Sequence, residues 1–242
     1  MPRKSFIITV AMILSATFIS LGCDGPALEK RDCVVMLGDS IFALSNEETE
    51  FLEELSGESY RQYYVSGAEM EGGLVTPIPK QYEKAIKDGA VRTVIMNGGG
   101  NDVMISGMMQ CMTPYGTPLS DACLDILDDV SAATEAMLLK MAADGVQNII
   151  WQGYYQTTNP LLWQVSEYSN ELMRHGLAEL QAVFPHMKVV FIDVQPYFNK
   201  YQAYSYTIYD GIHPTTKTSK KLANMVWDVM VTNNIEQGPS CE

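Results

Sequence analysis

Cys33-Val34-Val35-Met36-Leu37-Gly38-Asp39-Ser40 is the stretch on which the reading of this chain turns. An unbroken apolar run stops at a glycine, and two polar residues follow. That is the pattern of a strand buried on both faces and delivering its last side chains to the end of a sheet. Four further runs resemble it: Tyr60 to Val65, Thr93 to Asn97, Asn148 to Gln152 and Lys188 to Asp193. They are rich in Val, Ile and aromatic residues and mostly end at Gly, Asn or Asp. Longer helical patterns separate them, the rhythm of a parallel sheet with helices on both faces. The run at Tyr60 carries Arg61 and Gln62 and alternates poorly, so it is assigned to an edge and the other four to central positions.

The clearest helix spans Asp121 to Ala143, with Leu124, Leu127, Val130, Thr134, Met137, Leu138 and Met141 on one stripe. Ser120 or Asp121 caps its start and Gly145 lies past its end. Leu162 to Val183 and Thr216 to Thr232 show similar spacing, and Asn46 to Leu55 and Pro79 to Lys87 give shorter helices. Val103 to Leu119 breaks the rhythm. It is too long for a simple turn and holds Met104, Met108, Met109 and Met112, which either pack or line an adaptable apolar acyl pocket.

Residues 1–22 pair two basic residues, Arg3 and Lys4, with an apolar run from Phe6 to Leu21 that is too short to span a bilayer. This reads as an export signal, followed by a linker over 23–32 and one domain over 33–242. Ser20-Leu21-Gly22-Cys23 suits ordinary signal peptidase and also resembles a lipobox, in which Cys23 carries a lipid. The expectation is a periplasmic or cell-envelope lipoprotein tethered through Cys23, or alternatively a freely secreted protein. Five cysteines leave one over, and giving Cys23 to a lipid leaves an even four. Of the three possible pairings, Cys111 with Cys123 and Cys33 with Cys241 is preferred, the alternative being buried free thiols. Removing the signal takes away two of the 16 basic residues and none of the 29 acidic ones, so nucleic acid is excluded as a partner. No Cys-x-x-Cys or His-x-x-x-His spacing exists, and neither a metal nor another cofactor is expected.

Ligands of open parallel sheets bind beyond the carboxyl ends of the strands. Three polar motifs fall there or nearby. Gly38-Asp39-Ser40 follows the first strand, Gly98-Gly99-Gly100-Asn101-Asp102 the third, and Asp210-Gly211-Ile212-His213-Pro214 precedes the last helix. Alone, Ser40 could simply cap a helix, and the glycine run could be an ordinary turn. Asp210 and His213 are more specific. Three residues apart in a turn, a carboxylate reaches one imidazole nitrogen while the other faces outward, as a catalytic base requires. His175 and His186 have no partner motif. Tyr197, Phe198, Tyr201, Tyr204, Tyr206 and Tyr209, with Tyr154 and Tyr155, either wall a binding site or pack the sheet.

Gly38-Asp39-Ser40-Ile41, Ser66-Gly67-Ala68, Gly99-Gly100-Asn101-Asp102 and Asp210-Gly211-Ile212-His213-Pro214 together resemble, in order, the blocks of the SGNH or GDSL hydrolases. The second block lacks the polar residue that usually leads it. The resemblance implies a three-layer, flavodoxin-like α/β/α sandwich around a five-stranded parallel sheet. It further implies a serine hydrolase of carboxylic esters, whether lipid, small acyl ester or acylated sugar. In that scheme Ser40 is the nucleophile, His213 the base and Asp210 its orienter, with the oxyanion held by the N–H groups of Ser40 and Gly67 and the side chain of Asn101. The expected partner is a small or polymer-bound ester, the expected state a monomer or weak associate. The alternative is a silent member of the same fold that only binds.

Overall fold

The computed structural model describes residues 29–235. The expected export signal, Cys23 and Cys241 lie outside them. β1 (Glu29–Leu37) is followed by the single turn α1 (Ser40–Ala43), α2 (Glu47–Ser56), β2 (Glu58–Gln62) and α3 (Ile78–Asp88). β3 (Thr93–Met96) leads through a π-helical turn at Asp102–Ser106 and the short α4 (Met108–Cys111) into α5 (Asp121–Ala143). β4 (Asn148–Gln152), α6 (Trp163–Val183), β5 (Lys188–Ile192) and α7 (Thr216–Thr232) complete the alternation.

All strand pairs are parallel, in the order β2-β1-β3-β4-β5. Alternate residues of each strand serve opposite faces. Val35, Leu37, Val94, Met96, Ile149 and Trp151 pack under α3, α5 and α6. Val34, Met36, Ile95, Ile150 and Ile192 pack under α2 and α7. Two covered faces explain why β1, β3 and β4 read as continuous apolar runs, and the result is the three-layer α/β/α sandwich. β2 is an edge, as its polar residues indicate. β5 is the other edge, which corrects its assignment to the sheet interior. Val189 and Phe191 lie under α6 while Ile192 joins the opposite cluster, so helices on both faces give this edge the composition of a central strand.

In α5, Ser120 Oγ accepts from Cys123 N at 3.2 Å, and Gly145 takes φ +88° beyond the end. Its buried stripe is Cys123, Leu127, Val130, Thr134, Met137, Leu138 and Met141, with Leu124 at the margin. Cys111 and Cys123 form a disulfide across 12 positions of chain. Closing a loop of that size stabilises by about 3 kcal/mol on the chain-entropy account. Cys33 is also disulfide-bonded.

The chain steps outward from β1 to β2 and then crosses to β3 on the other side of β1. The strand order therefore reverses between β1 and β3, and the crevice beyond their carboxyl ends is the topological switch point. Ser40 and the glycine run follow those two ends.

Candidate active site

Gly38 ends β1 with φ +146°, and a Cβ there would stand 2.1 Å from Asn97 Oδ1. Only glycine fits. The turn is gripped by side chains from distant elements. Gln81 of α3 accepts from Gly38 N (2.8 Å) and donates to Gly38 O (2.9 Å), while Asn97 Oδ1 accepts from Asp39 N (3.0 Å). Asp39 then caps α1 by accepting from Ile41 N at 2.9 Å, which sets Ser40 on the first turn with its hydroxyl at the crevice.

Asp39 is buried, and that burial pushes its carboxyl above the ordinary range against the hydrogen bonds it accepts. One of these comes from Tyr154, whose hydroxyl donates to Asp39 Oδ2 at 2.5 Å and accepts from Gly100 N at 3.3 Å. A single phenol thus ties the serine turn to the glycine run after β3. Burial and the Asp39 charge hold its own pKa far above the usual tyrosine value, so it remains a donor.

The third motif is a surface turn. His213 Nε2 lies 2.8 Å from Ser40 Oγ, and His213 Nδ1 lies 2.6 Å from Asp210 Oδ2. Asp210 Oδ1 accepts from the N–H groups of Ile212 (2.9 Å) and His213 (3.0 Å), so the carboxylate shapes the turn while it faces the ring. Burial pushes the Asp210 carboxyl up, but the bonds from the His213 ring and the two backbone N–H groups together outweigh it and leave it below its ordinary value. Gly211 takes φ +74°, and a Cβ there would meet Thr158 Oγ1 at 1.8 Å. Thr158 N donates to Gly211 O (2.9 Å) and Tyr155 hydroxyl to Ile212 O (2.8 Å), docking the turn on the loop after β4.

Asn101 stands in the glycine run, half-buried, and donates from Nδ2 to Ala68 O at 3.0 Å. An amide nitrogen has two hydrogens, so one remains for a ligand. Asp102 accepts from Met70 N (2.9 Å) and Glu71 N (3.2 Å), fastening the loop after β2 to the same run. Gly67 lies in that loop, with φ +80°, in a turn closed by Ala68 N to Val65 O. It is not among the described residues lining the cavity that holds Ser40 and Asn101.

The structure therefore brings Ser40, His213 and Asp210 into one hydrogen-bonded chain and sets Asn101 in the same cavity. A hydroxyl touching an imidazole whose far nitrogen touches a carboxylate can shed its proton as it attacks a carbonyl. His175 pairs with Glu171 on the surface, and His186 stands against Phe184. Of the four methionines, only Met104 lines this cavity. Met108 and Met112 pack on the cluster around the Cys111–Cys123 bridge, and Met109 is 82% exposed. The bridge and α4 hold that segment against α5, so the packing alternative holds for Met108 and Met112 and the lining alternative for Met104. Tyr154, Asn97, Gln81 and Thr158 are structural discoveries as far as roles are concerned. Tyr154 was legible only as an aromatic that could wall a site, as it does, and Gln81 left a trace as a polar side chain on the buried stripe of Ile78, Tyr82 and Ala85.

Residues 34–226 match the family described as GDSL-like lipase/acylhydrolase. The chain belongs to that family. It is a carboxylic ester hydrolase. No curated protein matches it. Among solved structures, this GDSL hydrolase is similar to an α/β hydrolase enzyme from the metagenome of Lake Arreo, Spain, with a TM-score of 0.62 at 16% identity over 84% of this chain and 95% of that one. A GDSL-like lipase from Bacteroides thetaiotaomicron gives 0.58 at 13% identity over 85% and 89%. An acetylxylan esterase from Geobacillus stearothermophilus gives 0.58 at 16% identity over 88% and 95%. At such identities the likeness speaks for the sandwich alone.

Proposed function

We propose that this GDSL hydrolase cleaves esters through an acyl-enzyme, with Ser40 as nucleophile, His213 as general base and acid, and Asp210 orienting the ring. Ser40 Oγ attacks the ester carbonyl while its proton passes to His213 Nε2. The resulting oxyanion takes hydrogen bonds from the N–H group of Ser40, from the free amide hydrogen of Asn101 and from the N–H group of Gly67, whose neighbour Ala68 is held by Asn101 through its carbonyl. His213 then protonates the departing alcohol, and water repeats the sequence to release the acid. Each oxyanion donor is worth roughly 10²- to 10³-fold in turnover. The observation that carries the reading is the pair of contacts on either side of one imidazole, 2.8 Å to Ser40 and 2.6 Å to Asp210.

Fluorophosphonate labelling and hydrolysis of p-nitrophenyl acetate test it together. Both should be lost in Ser40→Ala with the thermal melt unchanged, whereas an unlabelled wild type would favour the silent binding alternative. We further propose that 1–22 is removed on export, that 23–32 is a linker, that 33–242 forms the catalytic domain, and that Cys23 carries a lipid tether. Metabolic palmitate labelling of the full chain should disappear in Cys23→Ser, and label that persists would place any lipid elsewhere.

A further inference from the structure

The crevice at Ser40 opens into more space than a small acyl group fills. A cavity of about 460 Å³ has Ser40 and Asn101 at one end and continues between α5 and α6. Val130, Thr134 and Leu138 of α5 and Val165, Met173 and Leu180 of α6 line it, and Trp151 of β4 lies along it. Lining residues on α5 run from Leu127 to Leu139. At 1.5 Å per residue that is about 18 Å of helix. A staggered hydrocarbon advancing roughly 1.3 Å per carbon reaches about fourteen carbons in that distance.

The chemistry of the walls selects the occupant. Beyond the catalytic end, the buried polar side chains lining the space are Thr134 and Asn170. Thr134 Oγ1 donates to Val130 O of its own helix at 2.7 Å. Asn170 is engaged at both ends of its amide, accepting from Tyr154 N (3.1 Å) and donating to Tyr154 O (2.8 Å). Neither is left to address the hydroxyls of a sugar. Half-buried Ser131, Ser166 and Ser169 also line the space, and its remaining fully buried wall is aliphatic or aromatic. A hydrocarbon chain gains about 0.8 kcal/mol for each methylene it buries there.

Gly176 supplies an independent sign. It lies inside α6 and lines the far part of the space, where a Cβ would meet nothing within 4 Å. Its backbone is not in the left-handed region, and glycine costs a helix interior about 1 kcal/mol. Neither geometry nor crowding requires it. What it provides is clearance, beside Glu179 and Glu135, where the groove meets solvent.

We infer that the groove between α5 and α6 is the acyl-chain subsite of this hydrolase, and that its substrates are esters of medium- and long-chain fatty acids, the carbonyl at Ser40 and the chain running toward Gly176. The inference rests on the esterase reading above.

The test is the ratio of kcat/KM on p-nitrophenyl laurate to that on p-nitrophenyl acetate, measured for wild type, Thr134→Phe and Gly176→Phe. Burying a methylene is worth about fourfold, so a ring that displaces two of them lowers the ratio about 15-fold. A fall is expected for both variants, and Gly176→Phe has open space to enter and should fold whatever the fate of Thr134→Phe. Fluorophosphonate labelling accompanies each measurement. A labelled Ser40 with a ratio unchanged in Gly176→Phe, or a labelled wild type that turns over acetate far better than laurate, overturns the subsite alone. An unlabelled wild type overturns the esterase reading and the subsite with it.

Discussion

The two turns that meet at Ser40 and His213 are built on opposite plans. The serine turn is sunk between β1 and β3 and held by side chains that arrive from α3, from the end of β3 and from the loop after β4. The histidine turn lies at the surface, and Asp210 shapes it through its own neighbours. One end of the hydrogen-bonded chain therefore depends on the whole core, the other on four consecutive residues and two docking contacts. A substitution at the first should cost stability and activity together. A substitution at the second should separate them.

Asp210→Asn is the largest expected effect and the sharpest form of this contrast. The amide oxygen still accepts from the Ile212 and His213 N–H groups, so the turn keeps its shape, but the ring loses its anionic partner. Turnover of p-nitrophenyl acetate should fall about 10⁴-fold. The melting temperature should stay within about 3 °C. A variant that loses both equally would show that the two turns are not energetically different. At the serine turn, Gly38→Ala forces a methyl onto Asn97 Oδ1 at a backbone angle that disfavours it. A loss of about 3 kcal/mol or more is expected in urea denaturation, with activity falling alongside.

Glu48 extends the contrast to pH. Wholly buried on α2, it accepts from Gln152 Nε2, and burial, with the Asp39 charge adding to it, raises its pKa to about 8 from the ordinary 4.5. Its folded-state value lies above the unfolded one, so its contribution is fully present below pH 4.5 and is lost as pH rises toward 8. The slope in that window is about 1.4 kcal/mol per pH unit. Glu48→Gln should flatten the decline in melting temperature between pH 5.5 and 8, and an unaltered pH profile would assign the decline to other groups. Asp210 acts with the opposite sign, because its lowered pKa supplies stability above the aspartate range that drains away in acid. The smallest effect expected is that of Tyr154→Phe, which removes a hydroxyl bonded to Asp39 and Gly100 while leaving the ring. Leaving the buried Asp39 carboxylate one partner short costs about 1–3 kcal/mol. As a positioning residue it should lower kcat more than it raises KM, and a change in KM alone would mean that the ring merely lines the cavity.

Much of this was legible in the sequence because it is periodic or local. β4, α5 and α7 were bounded as found, since continuous apolar runs and a 3.6-residue stripe follow directly from burial on two faces or on one. The Asp210–His213 pair was legible for the same reason: three residues of separation is a property of a turn. Ser40 and Asn101 became readable only as members of an ordered set. What escaped is long-range. Gln81 lies 43 residues from Gly38, Asn97 lies 58 from Asp39, and Tyr154 lies 115 from Asp39, and no pattern along the chain encodes contacts of that kind. β5 was misplaced because apolar composition reports covered faces and says nothing about lateral neighbours. Which methionines pack and which line the site stayed open, because their direction depends on how the Cys111–Cys123 bridge folds the segment back.

The ladder between β1 and β3 ends at Leu37 and Met96, one residue short of Gly38. Past that point the amides of Gln81 and Asn97 act as splints, completing the hydrogen bonds that a backbone would otherwise supply. A sheet finished in this way parts its strands with the Gly38 and Asp39 backbone groups still partnered. The mouth of the crevice is thereby moored to the core, and trading either amide would loosen the nucleophile's footing along with the opening.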